Sequence, residues 1–337
     1  MKLFGKDLTR EVAVIAEIGV NHEGDVETAL TLVRLAAEAG ADAVKFQSYT
    51  PERFIAADDQ ERLARVTRFA LDKEAHLLLA AEARTRGIHF LSTPVSEDWL
   101  PFLADIGGAI KIASGDLTFE PLVRAAARTG LPVILSTGLG TVEEIDSAVA
   151  WARDEIGEAD LADRLVLMHC VSAYPTPIEQ ANVRSVPFLA ERYGIHAGYS
   201  NHVVGMEPCL AAISLGARVI EVHFTDRKEG RTFRDHALSM EPADLSLLVA
   251  TAPRLAASLG VFGKNRQPVE AENVAATRKG IVAARDLQAG SILGREDLMW
   301  ARPASEFAAS EIHDLVGRRL AADLKRGQTV RRDAIAD

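Results

Sequence analysis

Cysteine is scarce: among 337 residues only Cys170 and Cys209 carry a thiol. Two cysteines cannot build a disulfide framework, and a metal site made from that pair would need further ligands. Cys170 lies inside an apolar run, the setting of a buried, inert thiol. Long hydrophobic runs are missing as well. The apolar stretches fall well short of the roughly eighteen residues that a membrane span requires, and Met1–Gly5 leads into charge without a signal-peptide core. A cytoplasmic protein without a membrane partner is therefore expected. Positive charge is in deficit: the net charge of −10 argues against nucleic acid as a main partner. It leaves room for a small anionic substrate, because a local lysine cluster can oppose the global charge. There is no internal repeat beyond the βα period described below, and no low-complexity tract. The turn after the first apolar run, Gly19-Val20-Asn21-His22-Glu23-Gly24, lacks a dinucleotide-binding fingerprint.

What is present is an alternation. Short apolar or β-branched runs at 12–18, 42–47, 88–92, 109–113, 132–136, 165–170, 195–199 and 218–224 read as strands. Amphipathic stretches at 26–39, 72–86, 117–129, 141–156, 203–216 and 241–259 read as helices, many followed by glycine where a C-cap needs positive φ. Eight βα units in about 250 residues is the arithmetic of a closed (β/α)8 TIM barrel. The expected organisation is a barrel over 1–260, a polar linker over 261–277, and a compact domain of short strands and turns over 278–337.

Active sites of such barrels lie at the C-terminal ends of the strands, so the polar residues there carry the functional reading. Two apolar runs end in histidine, at His202 and His223, and neutral imidazole is the commonest ligand for a transition metal. Glu221, two residues before His223, shares its strand face and brings a carboxylate toward the same spot. The alternative on the pair alone is a loop histidine and a hydrogen-bonded core histidine. Lys45 and Lys111, on the second and fourth strands, stand among Ser/Thr-Gly turns at Ser92-Thr93, Ser114-Gly115 and Ser136-Thr137-Gly138. Ammonium charge, hydroxyls and turn amides together suit a small phosphate-bearing anion. Either lysine, if desolvated, is also a candidate Schiff-base nucleophile. An anion clamp, a divalent metal and a free carboxylate at Glu17 fit carbon–carbon bond formation between a phosphorylated enol and a carbonyl.

Several segments occur in the order seen in the sialic acid synthase family. They are Ala16-Glu17-Ile18-Gly19-Val20-Asn21-His22-Glu23-Gly24, Lys45-Phe46-Gln47, Ser92-Thr93-Pro94, Lys111-Ile112-Ala113-Ser114-Gly115, Leu135-Ser136-Thr137-Gly138, His169-Cys170 with Tyr174-Pro175-Thr176-Pro177, and Glu221-Val222-His223-Phe224-Thr225-Asp226. The tail, with Val282-Ala283-Ala284-Arg285-Asp286-Leu287 and Trp300-Ala301-Arg302-Pro303, resembles that family's antifreeze-like (SAF) domain. The resemblance implies a transferase that condenses phosphoenolpyruvate with an N-acetylmannosamine-like hexosamine, using Mn²⁺ or Mg²⁺. It also implies a homodimer in which the tail of one chain covers the other's barrel. By motif, His202 and His223 hold the metal. Lys45, Thr93, Lys111, Ser114, Ser136, Ser172 and Tyr174 contact phosphoenolpyruvate, and Glu17, Glu221, Asp235 and Arg302 hold the sugar. Thr232-Phe233-Arg234-Asp235-His236, the turn after Arg302-Pro303 and the charged segment 50–68 depart from the family's pattern. All three lie where the sugar would be recognised. Rival readings are an enzyme using a phosphorylated aldose, another pyruvate- or phosphoenolpyruvate-dependent aldolase, and a non-catalytic sugar binder.

Overall fold

A computed structural model describes residues 1–336; Asp337, the last residue of the expected tail domain, lies outside them. The chain divides into two compact units, residues 1–260 and 261–337.

Among the described residues, the first unit holds an eight-stranded parallel sheet. Its strands are β1 (Ala13–Gly19), β2 (Ala43–Ser48), β3 (His89–Pro94), β4 (Ile110–Ile112), β5 (Val133–Ser136), β6 (Leu165–His169), β7 (His196–Asn201) and β8 (Val219–His223). They pair in the order β3-β2-β1-β8-β7-β6-β5-β4. The ring closes between β3 and β4, where Gly108 N donates to Phe90 O at 3.1 Å. Helices cover the outside: α1 (Val26–Glu38), α2 (Lys73–Thr85), α3 (Leu100–Ile106), α4 (Glu120–Arg128), α5 (Val142–Ile156), α6 (Ser185–Tyr193), α7 (Glu207–Ser214) and α8 (Pro242–Ser258). This is the (β/α)8 barrel expected from the alternation.

Local chemistry sets the helix ends. Asp25 and Asp72 cap α1 and α2 by accepting from Thr28 N and Ala75 N at 2.6 and 2.8 Å. Thr141 and Glu144 form a capping box on α5. Gly40 and Gly216 follow their helices with φ of 88° and 101°, the left-handed geometry that stops a helix.

Alternate strand residues build two cores. Val14, Ala16, Val44, Phe46, Leu135 and Val222 face the helices. Ala13, Ile15, Ala43, Leu91, Ile134, Val166 and Val219 fill the barrel interior. At their lower end Leu3, Phe4 and Leu8 of an N-terminal hairpin (Lys2–Leu3 paired with Lys6–Asp7) close the floor. The hairpin carries no long periodic run, and the pattern of the sequence does not announce it. The same is true of α3, α6 and the helix Gln60–Phe69, which are short or interrupted by Pro101 and Pro187. α4 begins at Glu120, later than the pattern suggests, because Ser114–Asp116 forms a single 3-10 turn.

The second unit contains an antiparallel pair, Gly280–Ala283 with Leu298–Ala301, around a core that includes Ile281, Leu293, Leu298, Ile312 and Leu320. Residues 261–277 carry only the single turns Pro268–Glu270 and Asn273–Thr277 and are largely exposed. None of the helices among the described residues is long and apolar enough to cross a membrane.

Candidate active site

The interior of the barrel changes from apolar to polar within one step of the pleat. Two residues beyond interior Ile15, Ala43, Leu91, Ala109, Ile134 and Val219 come Glu17, Lys45, Thr93, Lys111, Ser136 and Glu221. Residues two apart on a strand share a face, so this ring of polar groups roofs the inner core. Register then sets the neighbours: Glu17 pairs with His223 on one side and Lys45 on the other, Gln47 with Thr93, and Ser200 with Glu221.

Four charged groups meet there with at most 5% of each residue exposed: Glu17, Lys45, Lys111 and Glu221. Lys45 Nζ lies 2.6 Å from Glu17 Oε2 and 3.8 Å from Glu221 Oε2, and it donates to Thr93 Oγ1 at 3.3 Å. Lys111 Nζ donates to Ser136 Oγ at 2.6 Å and to Ile112 O at 3.2 Å. Ser200 Oγ donates to Glu221 at 2.9 Å, and Gln47 Nε2 to Glu17 at 3.4 Å. Desolvating an ion costs several kcal/mol even after relaxation, so four such groups at a strand-end cluster point to chemistry and away from simple stabilisation.

The two carboxyls are driven apart. Burial, with Glu221 nearby, raises Glu17 to about 7 despite Lys45. Burial also pushes Glu221 up, but Lys111, Lys45 and the Ser200 hydroxyl outweigh it and hold Glu221 well below the usual carboxylate range. At neutral pH Glu221 is ionised while Glu17 is poised between its two forms. Burial likewise lowers Lys111, whereas the two carboxylates overcome burial at Lys45 and raise it.

Beside the lysines, small polar side chains form a cradle around Gly138. Gly138 N donates to Ser114 Oγ at 3.1 Å, Ser114 Oγ lies 3.1 Å from Cys170 Sγ, and Ser172 Oγ is buried without a hydrogen-bond partner. A Cβ on Gly138 would sit 2.5 Å from Ser172 Oγ, 2.7 Å from Ser114 Oγ and 2.9 Å from Cys170 Sγ. Only glycine fits between these three side chains.

His202 and His223 face each other with ring centroids 5.4 Å apart, and Tyr174 stands 4.1 Å from the first and 5.9 Å from the second. His202 Nδ1 bonds Val171 O at 2.7 Å, which fixes the tautomer with a free lone pair on Nε2. His223 Nδ1 is buried without a partner. Burial lowers both imidazoles, so both are neutral. This donor pair suits a divalent transition ion. The expected convergence of Glu221 with the histidines is corrected by the structure. Glu221 is turned to Ser200 and the lysines, and among the described residues no group of three His, Cys, Asp or Glu side chains is placed to hold a metal.

The turn after β8 adds the remaining sugar-side candidate. Asp235 is buried at the start of the short helix Asp235–Leu238 and accepts from Arg234 Nε at 3.1 Å. His236, 1% exposed, bonds Thr225 Oγ1 at 2.7 Å and Glu23 Oε1 at 3.3 Å. Asn21 Nδ2 donates to Phe224 O and Ser239 Oγ at 2.8 and 2.9 Å, a structural tie. Arg302 belongs to the second unit. The sequence assigned no role to Gln47, Ser200 or Arg234 individually. The first two have a signal, their place at strand ends, and Arg234 has one in the segment 232–236, which departs from the family's pattern. A surface cavity of about 390 Å³ bounded by Arg84, His89 and Gly107 contains none of these residues.

Comparison with known proteins places this geometry in context. The NeuB family matches residues 32–264 and the SAF domain residues 278–336. The chain is 35% identical to an N,N'-diacetyllegionaminic acid synthase of Legionella pneumophila, over 94% of this chain and 92% of that one. A crystal structure of an N-acetylneuraminic acid (sialic acid) synthetase from Leptospira borgpetersenii, in complex with citrate, superposes with a TM-score of 0.73 at 35% identity, covering 78% of this chain and 90% of that one. A spore coat polysaccharide biosynthesis protein E from Chromobacterium violaceum superposes at 0.79 with 27% identity, over 97% and 100% of the two chains.

Proposed function

Because the chain belongs to the NeuB family, ends in a SAF domain and is on that account a carbon–carbon bond-forming transferase, we propose that it condenses phosphoenolpyruvate with an acylated hexosamine. The products are a nine-carbon 2-keto sugar acid and phosphate. One observation carries this reading: two buried lysines and a pair of neutral imidazoles share one strand-end cluster.

Lys45 and Lys111 oppose the charge of the phosphate and carboxylate, while Thr93, Ser114, Ser136, Ser172 and Tyr174 offer hydroxyl donors. Glu17, Glu221 and Asp235 hold the acceptor, and in a homodimer Arg302 of the partner subunit reaches it. His202 and His223 would hold Mn²⁺ or Mg²⁺, which would supply a Lewis acid for the acceptor's carbonyl. The methylene carbon of phosphoenolpyruvate attacks the open-chain aldehyde, and the new carbon–carbon bond forms. Glu17 gives its proton to the aldehyde oxygen, which becomes a hydroxyl. Water adds to the cationic, phosphate-bearing carbon, and Glu17 takes a proton back from it. The carbon–oxygen bond to phosphate then breaks, the remaining hydroxyl proton leaves with the phosphate, and the ketone forms. A carboxyl titrating near 7 suits both duties.

The similarity to a diacetyllegionaminic acid synthase favours a diacetamido-trideoxyhexose as acceptor. The test is phosphate release from phosphoenolpyruvate by the metal-loaded protein, with N-acetylmannosamine and two diacetamido-trideoxyhexoses, and with a chelator control. Release that needs one acceptor and stops with the chelator is expected. Phosphate release without any acceptor, or none from the whole panel, sinks the proposal.

A further inference from the structure

The turn after β8 carries a cation that the condensation leaves unused. Arg234 exposes 71% of its side chain, yet two contacts fix it. Its Nε donates to Asp235 Oδ1 at 3.1 Å, and its guanidinium carbon stands 5.4 Å from the centre of the Tyr174 ring. That ring is the one packed 4.1 Å from His202. The base beneath is rigid, since His236 is bonded on both ring nitrogens and Ser239 Oγ donates to Asp235 O at 2.7 Å. An arginine held by stacking and a single Nε bond keeps its outer nitrogens as a preset pair of donors. Among the described residues those two nitrogens have no hydrogen-bond partner.

We propose that Arg234 is a specificity-determining residue whose outer N–H groups receive the acyl carbonyl oxygen of the acceptor sugar. This rests on the condensation reading above. Two arguments choose the ligand group. Asp235 already opposes the charge of Arg234, so the pair presents donors without a free positive charge, which suits a neutral oxygen better than a phosphate. A carbonyl oxygen accepts and never donates, which matches a donor-only fork, whereas a hydroxyl also seeks an acceptor. The acceptor is accordingly acylated and unphosphorylated.

The experiment compares the full-length, metal-loaded wild type with Arg234→Lys and Arg234→Gln. Each is assayed against an N-acylated hexosamine, the parent hexose bearing a hydroxyl in place of the amide, and the 6-phosphate of the acylated sugar. Both variants should raise the KM for the acylated sugar about 10- to 100-fold, the worth of one hydrogen bond from a charged donor. kcat should move far less, and the preference for the acylated sugar over the parent hexose should fall by the same factor. Lysine keeps the charge but not the fork, and should not restore affinity. An equal loss on the parent hexose, an effect confined to the KM for phosphoenolpyruvate, rescue by lysine, or a larger effect on the 6-phosphate each overturns the inference. Calorimetric titration of the acylated sugar separates the two readings. Sugar binding that depends on Arg234 without phosphate release removes the condensation and leaves this inference standing. Absence of both turnover and sugar binding removes both.

Discussion

Gly138→Ala tests the anion cradle with the smallest available perturbation. The backbone at Gly138 is not in the left-handed region, so alanine meets no conformational penalty there. The penalty is contact: the new methyl would lie 2.5 Å from Ser172 Oγ and 2.7 Å from Ser114 Oγ, well inside van der Waals distance. Overpacking of this kind costs about 1–3 kcal/mol of stability. The hydroxyls must also rotate away from the space they line. Losing one hydrogen bond to a charged ligand is worth about 1.5–3 kcal/mol, or roughly 10- to 150-fold in affinity. The assay is the KM for phosphoenolpyruvate from phosphate release, with urea unfolding of the same preparation to separate binding from stability. Gly115→Ala is the control, because a Cβ there meets nothing within 4 Å. A folded Gly138→Ala protein with wild-type affinity for phosphoenolpyruvate would refute the assignment of this cradle to the anion.

Glu17 should set the pH dependence. As a proton donor whose carboxyl is raised by burial it should make kcat/KM fall as pH rises above the ordinary carboxylate range, and Glu17→Gln should remove that limb along with about 10²–10⁴ of the rate; an unchanged profile would remove Glu17 from proton transfer. Its effect on stability has the same direction. The folded carboxyl titrates near 7 against an ordinary 4.5, so the stabilisation from its proton is complete below about 4.5 and lost as pH rises through about 7. In chelator-treated protein Glu17→Gln should flatten the urea midpoint between about pH 5 and about pH 8, and a persisting slope would assign it to another group. His223→Ala should abolish stoichiometric Mn²⁺ binding measured by calorimetry, and retained binding removes it as a ligand. Borohydride with pyruvate should trap nothing on Lys45 or Lys111; an adduct, above all on Lys111, whose charged form burial disfavours, would replace the condensation with Schiff-base chemistry. Leu8→Ala, at the barrel floor and fully buried, should cost about 2–5 kcal/mol in urea unfolding while leaving the KM for phosphoenolpyruvate alone, and an altered KM would show that floor and site are coupled.

The eight strands were legible because each is a short apolar run closed by a breaker, and the barrel followed from their number. The strand-end lysines, histidines and hydroxyls could be named for the same reason: strand position alone assigns them to one rim. Helices such as α3 and α6 were hidden because short segments containing proline lack the periodic signal. The N-terminal hairpin was hidden because its burial comes from a distant core and not from its own pattern.

By itself, then, the sequence determined which residue types reach the C-terminal rim, since the two-residue period of a strand is a local property. Only the tertiary structure decided what those residues do to one another. Register placed Glu17 between Lys45 and His223, and unequal exposure to the two lysines split two chemically similar carboxyls, Glu17 and Glu221, into a poised acid and a fixed anion. The turn after β8 stacked Arg234 on Tyr174 across a gap of 60 residues. These outcomes depend on through-space distance and on exclusion of water, and neither quantity exists until the chain has closed on itself.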